Sequence, residues 1–444
     1  MYAVFVVLIV YLAAFVSTFG ASIAVGGGDG ITATFEVPES QKSFLVSTYL
    51  MGCGLGPLLF SPLSERCGRK WSIAAGVLFM ATFTTACTKA PNWGALLAFR
   101  FLAGLGSSAT LCTSNGIFAD IAPSPAIRGI MNCWTMVLTA LGPLMAAITS
   151  ISVISRWPDR WDICFLINAG IAWLAFLAVL SLPETSAKVV SAASSIESQS
   201  MKKEETWSRI VLPLRMIFME PIVTTSTLFL SLLYSIFFLF FQLLPRIGSD
   251  VYGFGTDRQV IVFVPIAIGA ILAGLIITIL EPALQALSEA NRYKSDRQQE
   301  LRRLPPACIG SFLVIISLFV VGYVVASRAH YMYMLVGEAV FSLGMVLIFM
   351  GLTNYVADSY KTAIASAIAP TWIVRNFLAA GLSFAAAPLY SHLGAQWELY
   401  LLGFLSLPFA GLICGTLYAG PWLREHSEIC QSIIKVPVEQ ELKV

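Results

Sequence analysis

Apolar runs of about 20 residues recur along the entire chain between short polar clusters, and that is the length one α-helix needs to cross a bilayer core. A backbone in lipid must satisfy its own N–H and C=O groups, so such runs fold as membrane helices rather than as open sheet. The windows fall at 2–25, 42–60, 71–88, 94–118, 129–154 and 163–182, and again at 222–247, 259–280, 306–326, 331–356, 362–389 and 398–420. The first lacks the basic start of a signal peptide and exceeds its usual apolar stretch, so it is read as a span. Only 12% of residues are charged and 57% are hydrophobic, against roughly a quarter charged in soluble domains, which excludes a water-covered globule.

Between the two sets of six windows lies a stretch rich in Ser, Lys and Glu (SAASSIESQSMKKEE), the composition of a solvated linker. The expected organisation is a six-helix bundle at 1–185, a cytoplasmic linker at 186–220, a second six-helix bundle at 221–421 and a cytoplasmic tail at 422–444. Two such bundles about a polar centre are the pattern of a secondary transporter. With the N-terminus inside, 18 Lys and Arg residues fall in inner segments and 7 in outer ones, which puts both termini in the cytosol. The net charge of +2 resides in short loops and forms no basic stripe, so no nucleic-acid partner is expected. Nine cysteines without a CxxC pair, and His330, His392 and His426 in or beside loops, give no reason to expect a metal or a cofactor. No HExxH, GxSx with a partner histidine, or paired aspartates occur inside the windows, so an enzyme is not expected.

The loop after the second window reads GPLLFSPLSERCGRK, from Gly56 through Glu65, Arg66, Gly68, Arg69 and Lys70. An acid and several bases at a tight turn can form an ion-pair latch on the cytoplasmic face, or simply anchor that face, and the charges alone leave both open. Inside the hydrocarbon a charge costs at least ~2.5 kcal/mol, so Arg100, Glu338 and Arg375, the charges well inside the windows, must face a wet or protein-lined interior. Glu338 is the candidate proton site, because a carboxyl group in low dielectric can exchange a proton as access alternates. Pairing with Arg375 to tie two helices together is the other role open to it. Tyr234, Phe237, Phe238, Phe240 and Phe241 crowd the seventh window, with Trp134 and Trp372 in the fifth and eleventh. A flat apolar ligand can stack on them, or they pack against lipid and neighbouring helices. Asn115, Gln242 and Asn354 either hydrogen-bond a ligand or bond one helix to another.

In this order the motifs resemble the major facilitator superfamily, and more closely its fungal drug:proton antiporter branch. GPLLFSPLSERCGRK looks like the family's signature loop, and FRFLAGLGSSAT with Arg100, FADIAPSPAIRG with Asp120 and Arg128, and LPET at 182–185 follow. MEPIV, FFLFFQLLP, RRLPPACIG and NYVADSY continue the match through the second half, so the resemblance covers nearly the whole chain. It implies twelve helices in two bundles, a cytoplasmic lock at the signature loop, and a part for Arg100 in proton coupling or anion attraction. Two departures stand out: a single Gly142-Pro143 step is followed by Leu144-Met145-Ala146-Ala147 instead of ending in paired glycines, and Gln242 replaces an acid usual in the seventh span. The fifth helix should still bend at Gly142-Pro143. The branch also tends to a long cytoplasmic N-terminal tail, whereas Tyr2 already opens the first window. The implied activity is proton-coupled efflux of small amphipathic organic molecules (toxin, secondary metabolite or drug) by a monomer in the plasma membrane. A proton-coupled importer of a polar nutrient and a non-transporting receptor are the alternatives.

Overall fold

The computed structural model describes residues 2–185, 215–290, 298–360 and 364–427; most of the expected linker and tail, and the side chain of Glu65, lie outside them. The first half holds α1 (Tyr2–Ser22), α2 (Lys42–Cys67), α3 (Arg69–Cys87), α4 (Trp93–Ile121), α5 (Pro125–Arg156) and α6 (Asp162–Leu180). The second holds α7 (Pro221–Asp250), α8 (Val264–Ala290), α9 (Gln298–Ala326) and α10 (Tyr331–Ser359), followed by a helical stretch, Ile364–Glu425. Gly394, at φ 73° and ψ 165°, divides that stretch into α11 (364–393) and α12 (395–425). Among the described residues eleven segments are long and apolar enough to span on their own; α11 carries Arg375 and Asn376 within its length and is not one of these.

Local signals start the helices where the windows place them. Asn92 accepts from Ala95 N at 2.8 Å ahead of α4, and Ser124, followed by Pro125, accepts from Ile127 N at 3.3 Å ahead of α5. Several helices outrun their windows, with α5 reaching 32 residues and α9 beginning at Gln298 before the Arg302-Arg303 pair. Hydropathy marks only the part of a helix that lipid surrounds, and the hydrogen-bonded ladder continues into the headgroup zone. For the same reason α12 runs to Glu425, into the stretch expected as tail.

Within the first half α2 and α3 pack on α4, and α1 packs on α5; in the second, α9 and α8 pack on α10, and α7 on the α11–α12 stretch. The halves meet where α2 faces α11 and where α5 faces α8 and α10. On the first seam Ser47 donates to Ala380 O at 3.0 Å and Phe44 meets Phe384 edge-on at 5.0 Å. On the second, Trp134 Nε1 donates to Thr278 Oγ1 at 3.1 Å. Exposed apolar side chains such as Leu174 and Leu177 on α6, Ile279 on α8, Phe312 and Ile316 on α9, and Phe404 on α12 form the outward surface that lipid covers.

Lipid tails are as apolar as leucine, so helix association here depends on close backbone approach. At Gly52 a Cβ would run into the Phe101 carbonyl, and at Gly104 into the Tyr49 carbonyl, so α2 and α4 are pressed together from both sides. Gly104→Val is expected to separate these helices and destabilise the protein by roughly 1–3 kcal/mol. Thermal unfolding in detergent checks this, and an unchanged midpoint would mean that the α2–α4 contact is looser than it stands.

Candidate functional site

The signature loop is organised by a residue outside it. Gly68 adopts φ 98°, and α3 starts at the next residue, leaving its first N–H groups without helical partners. Arg69 N and Lys70 N donate to the two oxygens of Glu184, in LPET, at 2.8 and 3.2 Å. A carboxylate at a helix N-terminus also complements its dipole. Any side chain at position 68 would collide with Glu184, so both φ and space demand glycine there. Arg69 reaches Asp120 of α4 at 3.5 Å and Ser64 at 3.0 Å, Arg66 is exposed, and Lys70 lies over Trp71 at 5.4 Å. Gly56 sits directly against Ser108 of α4. These contacts join α2, α3, α4 and the end of the first half to one another.

The contacts between halves at this end come from other residues. Arg128 of α5 meets Asp358 of α10 at 2.5 Å, and Arg303 of α9 donates to the other Asp358 oxygen at 2.6 Å. Arg303 also pairs with Glu281 of α8 and donates to Pro125 O on α5 at 3.3 Å, while Arg302 reaches Glu281 at 3.2 Å. Arg303 and Glu281 are each 1% exposed, so this is a buried network rather than surface decoration. Gly129 on α5 presses against the Arg303–Glu281 pair, where a Cβ would lie 2.9 Å from the guanidinium. One turn further in, Asn132 donates to Asn354 at 3.0 Å, again from α5 to α10. Opening this end must break the Arg128–Asp358, Arg303–Pro125 and Asn132–Asn354 bonds together.

Beyond this network lies a narrow cleft lined by Met136, Thr139 and Ala140 of α5, Tyr234 and Phe237 of α7, Met345, Val346 and Phe349 of α10, and Arg375 of α11. An adjoining space shares Met136, Phe349 and Arg375 and adds Trp372, Thr353 and Thr371. The Arg375 guanidinium lies 3.5 Å from the Trp372 ring centre, 4.4 Å from Tyr234 and 5.7 Å from Phe349. Glu338 is fully buried, and neither carboxyl oxygen has a hydrogen-bond partner among the described residues. It does not pair with Arg375. Met345 and Phe349 follow it at i+7 and i+11, which sets Glu338 on the cleft-facing stripe of α10, about 10 Å along the helix from Met345. Tyr252, in the loop after α7, is near it: burial first, then the Glu338 charge, push the Tyr252 phenol up, so it remains an O–H donor at neutral pH.

The sequence profile of the Major Facilitator Superfamily matches residues 10–380, most of the chain. The chain belongs to the major facilitator superfamily. It is similar to the MFS-type transporter penM of Penicillium rubens, 28% identical over 423 residues that cover 90% of this chain and 81% of that one. It is likewise similar to the efflux pump FUB11 of Gibberella moniliformis, at 27% identity with 90% and 70% covered. Among solved structures the proton:xylose symporter XylE has the same fold, with a TM-score of 0.70 at 16% identity over 94% of this chain and 96% of that one. Membership makes this a multi-pass membrane transporter of small molecules and not an enzyme.

Apart from Glu65, whose side chain lies outside the described residues, the residues singled out in the sequence have definite places. Arg100, 1% exposed, donates to Gly20 O (2.6 Å), Ala21 O (2.8 Å) and Leu45 O (2.9 Å) and lies over Tyr49 at 4.8 Å. Gly20 and Ala21 are in the last turn of α1, so Arg100 caps carbonyls that the helix leaves open. Arg100→Leu is expected to cost roughly 1.5–3 kcal/mol net, with Arg100→Lys milder. Thermal unfolding of both variants checks this; a normally stable Arg100→Leu that loses only pH-dependent transport would instead favour a coupling role. Tyr234 and Trp372 line the cleft. Trp134 and Asn354 are spent on α5–α8 and α5–α10 bonds, Gln242 donates to Phe238 O at 3.3 Å within α7, Phe238 packs edge-on against Tyr234, and Asn115 is buried in α4. Gly142 lies against Thr18 and Phe19 of α1, and Pro143 lies inside a helix that runs unbroken through it. Glu184, Glu281, Arg303 and Asp358 went unassigned in the sequence, although LPET, RRLPPACIG and NYVADSY contain three of them. Glu281 belongs to no motif, and only its place one residue past an apolar window could have marked it.

Proposed function

We propose that this transporter exports small amphipathic organic molecules in exchange for protons, with the bundles at 1–185 and 221–421 rocking about the cleft in the plasma membrane. Glu338 carries the proposal. A buried ionised carboxylate with no partner among the described residues costs several kcal/mol, and binding a proton removes that cost. A group of this kind beside the pathway gains a proton when one face is open and loses it when the other is. The resemblance of the chain to a fungal efflux pump supports the outward direction, and the largely apolar, aromatic lining of the cleft suits an amphipathic cargo. In this scheme the Arg128–Asp358–Arg303–Glu281 network is the cytoplasmic gate, closed here, on the side where loop charge places both termini. Cells expressing the protein should accumulate less of an amphipathic fluorescent probe such as a naphthyl carboxylate dye than cells lacking it. Greater accumulation on expression would reverse the direction.

A further inference from the structure

Arg100 and Arg375 are buried alike, at 1% and 3% exposure, and differ in what their guanidinium groups meet. Arg100 spends its donors on three backbone carbonyls. Arg375 has no carboxylate within ion-pair distance among the described residues, its Nε has no acceptor among them, and the rings of Trp372, Tyr234 and Phe349 lie closest over its charge. Rings attract a cation more weakly than an oxyanion does, and a planar guanidinium presents two parallel N–H donors to a carboxylate. Arg375 is the one charged residue on the described walls of both cleft spaces, whose other sides are mostly apolar and aromatic, with the hydroxyls of Thr139, Thr353 and Thr371 the neutral polar groups among them. Glu338, the remaining charge on this face, stands too far along α10 to satisfy it and carries no partner of its own.

We infer that the cleft selects organic anions: a carboxylate docks on Arg375 while a flat apolar body lies among the surrounding rings. The buried, unpaired guanidinium is the feature a neutral or cationic cargo leaves uncompensated, so charge discrimination follows from the cost of an unpaired buried ion. This assignment rests on the proposal that the cleft is the transport site. In that setting an inside-negative membrane potential drives the anion outward, in the same direction as the proton gradient.

Calorimetric titration of the purified full-length chain in neutral detergent with naphthalene-2-acetate, its neutral amide and 2-naphthylethylamine tests the assignment without any flux. The acetate should bind about 10- to 100-fold tighter than the amide, the range of one charged hydrogen-bonded contact, and the amine weakest. Arg375→Gln should bring the acetate-to-amide affinity ratio, both measured on that variant, to about one, while Arg375→Lys keeps part of the preference. Equal binding of acetate and amide, tighter binding of the amine, or a preference that survives in a folded Arg375→Gln overturns it. If that variant fails to fold, the acetate-to-amide ratio of the unaltered protein decides alone. Because no proton gradient is applied, loss of proton-coupled transport leaves this result standing. Conversely, equal binding alongside proton-driven flux removes only the anion assignment.

Discussion

Glu281→Met is expected to be among the most damaging single changes in the molecule, costing about 3–5 kcal/mol, while the same change joined to Arg303→Met is expected to recover most of the loss. The single variant leaves the Arg303 guanidinium, 1% exposed, short of one of its two carboxylates. Taking a charge pair out of water gains little net energy, but removing Glu281 leaves Arg303 and Arg128 to share the single carboxylate of Asp358, a net buried positive charge. The double variant removes both charges from the interior and fills the space with two flexible apolar side chains that can settle against Gly129. Asp358 is not stranded in the process, since Arg128 still meets it at 2.5 Å, and Arg302, 15% exposed, can turn to water. Thermal unfolding of the four members of this double-mutant cycle gives the coupling directly. Additive losses in the two single variants would show that the buried pair is energetically independent and that the gate draws its strength from Arg128–Asp358 alone.

How far the fold was written in the chain differs from element to element. Apolar windows mark where lipid must be, so the helices appear in sequence with their polar ends cut short, as at Gln298–Arg303 of α9 and at Glu425 of α12. Even α11, with its Arg375-Asn376 step, shows as a window at 362–389, because the surrounding Ala, Ile, Val and Leu outweigh two polar residues. Partnerships are a different matter. Arg69 finds Asp120, Lys70 N finds Glu184 more than a hundred residues away, and Arg303 gathers Glu281 and Asp358 from two other helices. Such choices depend on how helices pack, and local pattern carries no trace of them. The intramembrane charges show the same divide. Their rarity exposes Arg100, Glu338 and Arg375 at once, yet only packing reveals that the first caps α1 while the other two ignore each other. Aromatic crowding in α7 marks the cleft at Tyr234 and Phe237, whereas Phe240 and Phe241 serve the interior, stacking near Phe341 and Phe263 at 4.7 and 4.8 Å.

Glu338→Gln is expected to abolish proton drive while sparing the pathway. The amide has nearly the shape of the protonated acid, so the α10 packing around Gly337 and Ala339, pressed onto α9 and α8, should be undisturbed and the variant should fold and bind cargo. What it cannot do is take up and release a proton as the cleft changes sides. For one proton per cycle, a gradient of one pH unit is worth about 1.4 kcal/mol, enough to raise accumulated cargo about tenfold. The decisive measurement is uptake of naphthalene-2-acetate into proteoliposomes, acidic inside and with the membrane potential clamped at zero by equal potassium and valinomycin, with and without that gradient, alongside exchange of labelled for unlabelled cargo at equal pH. Proton-coupled export through Glu338 predicts that the unaltered protein concentrates the probe about tenfold per pH unit. Glu338→Gln should show exchange at an ordinary rate and no response to the gradient. A variant that still concentrates cargo with the gradient would contradict the role given to Glu338, and an unaltered protein that exchanges cargo but ignores the gradient would contradict proton coupling itself.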